Sequence, residues 1–203
     1  MINAVRQFFE DHAPTWDDRM PADIVAILQR FATPMAATFS TVHSILEIGT
    51  GTGAFVPVLR EYAPDARLVS IDIALGMLQM ARRRCPPECY IQADVHHLPV
   101  AAVQFDLVVC HNSFPHFADK SRALREMRRI LQAGGKLMIL HNNSRAFVNQ
   151  IHRQAGDPIA DDLLPPGEEL LQWLMDADFQ DVQVDDTPVH YIATATAGAQ
   201  ISS

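Results

Sequence analysis

The chain has 203 residues, 48% of them hydrophobic and 20% charged, the make-up of a soluble globule with one sizeable core rather than of a disordered or fibrous chain. Acidic residues outnumber basic ones, 24 to 16, for a formal net charge of −8, which argues against a nucleic-acid phosphate backbone as the main partner. No apolar run reaches membrane-spanning length, the N-terminus has the pattern of neither a secretory signal nor a span, and the three cysteines, Cys85, Cys89 and Cys110, read as free thiols of a reducing, cytoplasmic compartment.

In chain order, residues 1–43 read as a helical preface, with Ile24, Ile27, Leu28 and Phe31 at helical spacing after Pro21. "SILEIG" is a buried strand ended by Gly49. Phe55, Val58, Leu59 and Tyr62 then mark an amphipathic helix that tolerates Pro57 in its first turn and stops at Pro64. "ARLVSID" is a second strand, "ALGMLQMARRR" a second helix and "CYIQAD" a short third strand. "FDLVVCHN" is a fourth strand, its continuous apolar run typical of a strand covered on both faces. A helix over Asp119 to Leu131 follows, then a turn at Gly134-Gly135 into a fifth strand, "KLMILH". Helices from about Ser144 to Gln154 and within "LPPGEELLQWLMDADF" precede a closing strand pair, "DVQVDD" and "VHYIATATA".

Strands alternating with helices predict a parallel α/β sheet covered on both sides. Right-handed crossovers then bring every strand-to-helix loop to one carboxyl edge. Asp72, Asp94, His111 and His141 each fall at or just past a strand end, so they are expected to share a rim with the glycine loop "ILEIGTGTGAF". Glycine admits positive φ and leaves no Cβ in the way of a ligand, and a helix that starts after the loop aims its N–H groups into the site. A ligand-free tight turn is the bland alternative. Gly49, Gly51 and Ala54 meet the looser G-x-G-x-x-A dinucleotide pattern. S-adenosylmethionine is the other ligand reading. It is favoured by E-x-G-x-G-x-G, with Glu47 two residues before Gly49, and by "ADVHHLP", "FDLVVCHNSFPHF" and "LREMRRILQAGGKLMIL" following in order. A carboxylate at Asp72, nineteen residues after Gly53, suits the ribose hydroxyls of either cofactor.

With these motifs over residues 5–196, the sequence resembles class I S-adenosylmethionine-dependent methyltransferases, in particular the small-molecule group with the ubiquinone and menaquinone methyltransferase-like proteins. It departs from that group at Ala133, where proline usually precedes the paired glycines. The resemblance implies one Rossmann-like α/β domain with a seven-stranded, mostly parallel sheet in the order 3-2-1-4-5-7-6. Residues 1–43 would be a helical lid, 44–196 the core and 197–203 a frayed tail. It implies that Glu47, Gly49, Thr50, Gly51 and Gly53 line the methionine and ribose end. Asp72 would bind the ribose hydroxyls, with Ile73 beside the adenine, Asp94 and Val95 at the adenine edge and His111 near the sulfonium. Met77 is expected in the core, on a helical stripe with Met80 and Ala81.

A sulfonium methyl is already activated, so holding the acceptor in line and excluding water supplies much of the acceleration and a base is optional. The candidate bases are His116, His141 and His111, and the candidate acceptor contacts Trp16, Asn112, Asn142, Arg145 and His152. If Arg145 faces the pocket, it suits an anionic acceptor. No metal is expected, because Pro115 lies inside the H-x4-H pair and "CPPEC" has no second cysteine pair. The expected partners are a small-molecule acceptor and a second copy of the chain in a homodimer, with no nucleic acid and no membrane span. Two alternatives remain: a cofactor-holding sensor without catalysis, and an NAD-dependent oxidoreductase.

Overall fold

The structure, a computed structural model, describes residues 2–86 and 88–199. Strands β1 (Ser44–Ile48), β2 (Arg67–Asp72), β3 (Cys89–Gln92), β4 (Phe105–His111), β5 (Leu131–His141), β6 (Phe179–Asp186) and β7 (Tyr191–Ala197) form a single sheet in the order β3-β2-β1-β4-β5-β7-β6. The first five run parallel, and β7 is antiparallel to both β5 and β6. This is the expected topology. The described helices are α1 (Ile2–His12), α2 (Ile24–Ala32), α3 (Ala36–Phe39), α4 (Val56–Tyr62), α5 (Leu75–Arg84), α6 (Lys120–Ile130), α7 (Arg145–Ala155) and α8 (Gly167–Asp176).

The side-chain alternation of a strand explains the continuous apolar runs. Leu46, Ile48, Val69, Ile71, Val108 and Cys110 point to one face, where they meet Leu124 and Met127 of α6 and Leu170 and Leu174 of α8. Ile45, Leu68, Leu107 and Val109 point to the other, against Leu28 of α2, Phe39 of α3, Val58 and Leu59 of α4 and Leu78 of α5. Both sets are buried, so Ile45, Leu46 and Ile48 of β1 and Leu107 to Cys110 of β4 are apolar on either face.

The paired glycines differ from expectation. They lie inside β5, which starts at Leu131 directly after α6. Phe105 pairs with Leu131 and Leu107 with Lys136, so an irregularity in the register absorbs the extra residues. Gly134, with φ +76°, takes the left-handed conformation there. Of the tail expected over 197–203, Ala197 closes β7, and residues 200–203 lie outside the described residues.

Strand order reverses between β1 and β4, so the connections after these two strands leave in opposite directions. An α/β sheet opens a crevice at such a point, outside the carboxyl ends of its strands. Residues 5–28 run across that crevice. Two ties hold them to the core. Glu10 of α1 accepts hydrogen bonds from the first backbone N–H groups of α5, Leu75 at 2.7 Å and Gly76 at 2.6 Å. Asp17 accepts from Thr52 Oγ1 at 2.6 Å and pairs with Arg84 at 2.5 Å. Among the described residues, no helix is long and apolar enough to cross a membrane.

Candidate active site

A cavity of about 220 Å³ occupies the crevice. This is far above the roughly 10–15 Å³ that a single water needs, and is the scale of a ligand site. Its floor is built by the strand ends and the loops after them: Glu47 to Gly51, Ile71 to Ile73, Ala93 and Val95 to His96. Its roof is Phe9, Trp16, Met20, Ile24 and Leu28 from the N-terminal segment, and its far wall is Phe55, His111 to Ser113, His116 and Phe117.

The glycines of the first loop have separate tasks. At Gly49 (φ +71°) an added Cβ would stand 2.3 Å from Ser113 Cβ and Oγ. At Gly51 (φ +56°) it would meet nothing within 4 Å, because the residue faces the cavity. Gly53 does not line the cavity; a Cβ added there would stand 3.1 Å from Ala81 Cα and Cβ, so its absence lets α5 pack against the loop. The loop is moored by Gly49 and Thr50, whose N–H groups donate to the Ile71 carbonyl at 2.8 and 3.0 Å.

Two buried acids face the cavity from the floor. Asp72 Oδ2 accepts from Gly51 N at 2.8 Å and Oδ1 from Ala74 N at 2.9 Å. Burial pushes its carboxyl up to about 6, against those backbone donors. Glu47 Oε2 accepts from Thr50 Oγ1 at 2.8 Å and Ser70 Oγ at 2.7 Å. Burial pushes this carboxyl up to about 7, with the charge of Asp72 adding to the rise. Among the described residues, neither acid is ion-paired with a lysine, arginine or histidine.

Ile73 and Val95 line the cavity, whereas Asp94 does not. The Asp94 carboxylate turns to His96, accepting from its backbone N at 2.9 Å and lying 2.5 Å from its ring Nδ1. Burial alone would raise the Asp94 pKa, but the His96 hydrogen bonds outweigh it and the net shift is downward. His96 Nε2 accepts from Asp119 N at 3.1 Å, so this imidazole links the loop after β3 to the start of α6. His96 also lines the cavity. His96 is not among the candidates the sequence singled out, although an aspartate two residues ahead was the available sign of a side-chain-to-backbone turn.

The rim histidines separate. His111 lines the cavity, stacked on Phe55 at 4.5 Å and 14°. Burial pushes its pKa down to about 4, so the ring is neutral at pH 7, and its buried Nε2 has no partner among the described residues. His116 lines the cavity from the turn Phe114–His116. His141, the last residue of β5 and the register partner of Tyr191 in β7, is buried and does not line the cavity, with a pKa that burial holds well below the usual value. His152 is also off the cavity, with Nδ1 bonded to the Asp162 carbonyl and its ring 4.7 Å from that of His116.

Arg145, read as an anion-binding candidate, is not in the cavity wall: its Nε lies 2.6 Å from Asp186 Oδ2 across α7 and β6. The anionic-acceptor argument rested on Arg145 reaching the pocket and loses its basis. Asn142 carries a hydrogen bond from Asn112 Nδ2 at 2.8 Å, and only Asn112 reaches the cavity. Trp16 lines it, as does Met77, which also packs in the small cluster with Ala13 and Ala74. Met77 was expected in the core alone; its place at the first turn of α5, just past Asp72, gives it both roles. Among the described residues, no group of three or more His, Cys, Asp or Glu side chains is arranged to hold a metal ion.

A family model described as a methyltransferase domain matches residues 46–139, the stretch from β1 to β5 that carries the glycine loop and Asp72. Together with the sheet order and the cavity at its reversal point, this defines the class: residues 46–139 are similar to a methyltransferase domain, and the fold is that of the class I S-adenosylmethionine-dependent methyltransferases. Within that class, the chain is 33% identical over 143 residues to the demethylmenaquinone methyltransferase of Deinococcus radiodurans, covering 68% of this chain and 59% of that one. It is 34% identical over 137 residues to the malonyl-[acyl-carrier protein] O-methyltransferase of Dechloromonas aromatica, covering 66% and 49%. The fold is shared with an S-adenosylmethionine-dependent methyltransferase of Methanococcus maripaludis at a TM-score of 0.75 and 19% identity, over 96% of this chain and 95% of that one. The chain spans about half the length of the first demethylmenaquinone methyltransferases it matches.

Proposed function

We infer that the chain transfers a methyl group from S-adenosylmethionine to a neutral, apolar small molecule. The observation that carries this reading is the pair of buried acids, Glu47 and Asp72, facing one cavity beside the open Gly51 cradle. The residues fit the group. Asp72 has acceptor capacity for ribose hydroxyls beyond its two backbone donors. The two carboxylates suit a ligand bearing an ammonium and a sulfonium, since a nearby cation favours the charged form of each acid. Ile73, Ala93 and Val95 form an apolar slot of the kind a nucleobase fills. When bound, S-adenosylmethionine supplies a methyl group already activated by positive sulfur.

The chain's own part is to bind, orient and exclude water. Residues 1–43 act as a lid, tied down by Glu10 and Asp17, with Phe9 and Trp16 sealing the acceptor side. Among the described residues, no lysine or arginine lines the cavity, so an anionic acceptor has no counter-charge there. The roof is apolar and aromatic, and the polar handles of the far wall are the His111 and His116 imidazoles, the Asn112 amide and the Ser113 hydroxyl. This favours a neutral ring compound of the type the demethylmenaquinone relatives are named for over a malonyl group on a carrier protein.

Titration calorimetry with S-adenosylmethionine, S-adenosylhomocysteine and NAD tests the reading. The two sulfur nucleosides are expected to bind, with Asp72→Ala weakening both, and NAD to give no heat. Binding of NAD in preference to both overturns it.

A further inference from the structure

The turn Phe114–His116 is clamped from outside by Lys120, whose Nζ donates to the Pro115 and Phe117 carbonyls at 2.9 and 3.2 Å. This clamp fixes His116 at the cavity wall. Its ring is flanked by Phe9 of α1, at 4.9 Å and 76°, and by His152 of α7 at 4.7 Å. Asp162, in the segment between α7 and α8, holds both imidazoles. Its carboxylate Oδ2 is 2.9 Å from His116 Nδ1, and its backbone carbonyl is bonded to His152 Nδ1. A carboxylate accepts and does not donate, so His116 Nδ1 carries the proton of this bond. The lone pair is then left on Nε2, which has no other hydrogen bond among the described residues, at the edge of the cavity.

We propose that Asp162 is a positioning residue that fixes the tautomer and orientation of His116, and that His116 Nε2 takes the proton of a ring hydroxyl on the acceptor. This rests on the methyltransferase reading and deepens it by assigning the base and the residue that orients it. The step balances. The O–H bond breaks with its electron pair staying on the acceptor oxygen, the proton moves to Nε2, and the resulting imidazolium faces the Asp162 carboxylate. The acceptor becomes the electron-rich anion that receives the methyl group, and His116 returns its proton to water when the lid opens. Glu47 and Asp72 are poor alternatives as the base, being committed to the cofactor floor. His111, neutral on the same far wall with an unpartnered Nε2, can hydrogen-bond the same acceptor without carrying the proton away.

The test combines spectroscopy with kinetics. In protein labelled with 15N-histidine, two-bond 1H–15N correlations at pH 8 report each neutral tautomer. His116 is expected as the Nδ1–H form in the parent and to revert to the Nε2–H form in Asp162→Ala. With 1,4-dihydroxynaphthalene kept reduced as the probe acceptor, Asp162→Ala and His116→Gln are expected to lose roughly 100-fold in kcat with KM changed less than about threefold. S-adenosylhomocysteine affinity should stay as in the parent, because Asp162 is not in the cavity wall. An Nε2–H tautomer in the parent overturns the proposal without any variant. So does an unchanged kcat in Asp162→Ala, and absence of turnover of the hydroxylated ring by the parent overturns the role of His116 as the base for a hydroxyl proton. Failure to bind S-adenosylhomocysteine at all would instead strike the methyltransferase reading, leaving the tautomer result to stand separately.

Discussion

Adding one methyl group at two neighbouring glycines separates stability from ligand binding. At Gly49 the residue sits at φ +71°, where a side chain costs about 1–2 kcal/mol. The new Cβ would also lie 2.3 Å from Ser113 Cβ and Oγ, against an ordinary carbon contact of about 3.5–4.0 Å. Ser113 cannot swing away freely, since its Oγ donates to the Ile48 carbonyl at 2.9 Å and lies 3.0 Å from Cys110 Sγ. Losing that bond costs about 0.5–1.5 kcal/mol, and the overpacking about 1–3 kcal/mol more. Gly49→Ala is thus expected to remove about 3–6 kcal/mol, a large part of the roughly 5–15 kcal/mol that a domain possesses. At Gly51 only the backbone term remains, about 1–2 kcal/mol, which for a chain of this size lowers Tm by roughly 3–6 °C. Its methyl group projects into the cavity instead, so the loss falls on S-adenosylhomocysteine affinity, by at least about tenfold. Urea unfolding and titration calorimetry on both variants read the two effects. Equal destabilisation by the two substitutions, or full affinity in Gly51→Ala, refutes the assignment of the open cradle.

Further outcomes follow from the buried acids and the lid. Glu47 has a folded pKa of about 7 against an ordinary 4.5, so the ligand-free chain holds stability below pH 4.5 that it loses as pH rises through 7, about 3 kcal/mol in all. Glu47→Gln removes that slope, and its urea stability relative to the parent is expected to rise from pH 5 to pH 8; parallel curves would place the carboxyl in water. Binding of S-adenosylmethionine at pH 6.5 should release protons, because its cationic groups and ribose donors lower the pKa of both Glu47 and Asp72. Calorimetry in buffers of different ionisation enthalpy gives the sign, and proton uptake contradicts it. Glu10→Ala strips the charged acceptor from the Leu75 and Gly76 N–H groups, at about 1–3 kcal/mol. Faster amide exchange in α1 and at the start of α5 is the expected result, and unchanged protection there would show that the tie holds nothing.

The parts of this molecule that were legible in the sequence are those whose physics is local. β4 announces itself because Leu107 and Val109 feed one core while Val108 and Cys110 feed the other, so each position is apolar. The glycine loop and Asp72 are legible because backbone approach and a strand-end carboxylate each have a fixed address relative to β1 and β2. What was not legible depends on where distant segments meet. Asp162 follows His116 by 46 residues and has no periodic relation to it. Arg145 looked free to reach a ligand only while its partner Asp186, 41 residues on, was out of view. Trp16 could be assigned to roof or core only after the N-terminal segment was laid across the crevice. The glycine pair 134–135 misled for another reason: glycines mark turns and bulges alike, and only the pairing of Leu107 with Lys136 tells them apart.

The floor of the cavity is what a chain optimised for stability alone would avoid. Burying Glu47 and Asp72 near one another, with no cationic partner among the described residues, leaves both carboxyls poorly solvated and mutually repelling. Ser70, Thr50 and the Gly51 and Ala74 backbone offset only part of that cost, since both pKa values remain raised. Replacing such a pair by apolar residues is often stabilising, so their presence at the reversal point of the sheet calls for a compensating ligand. A molecule with fixed positive charge and a vicinal diol satisfies both acids at once. An apolar roof above them then excludes the water that would otherwise weaken that attraction and compete with the acceptor. On the proposed reading the same arrangement disfavours an anionic acceptor, because two carboxylates lie across the cavity and, among the described residues, no lysine or arginine lines it.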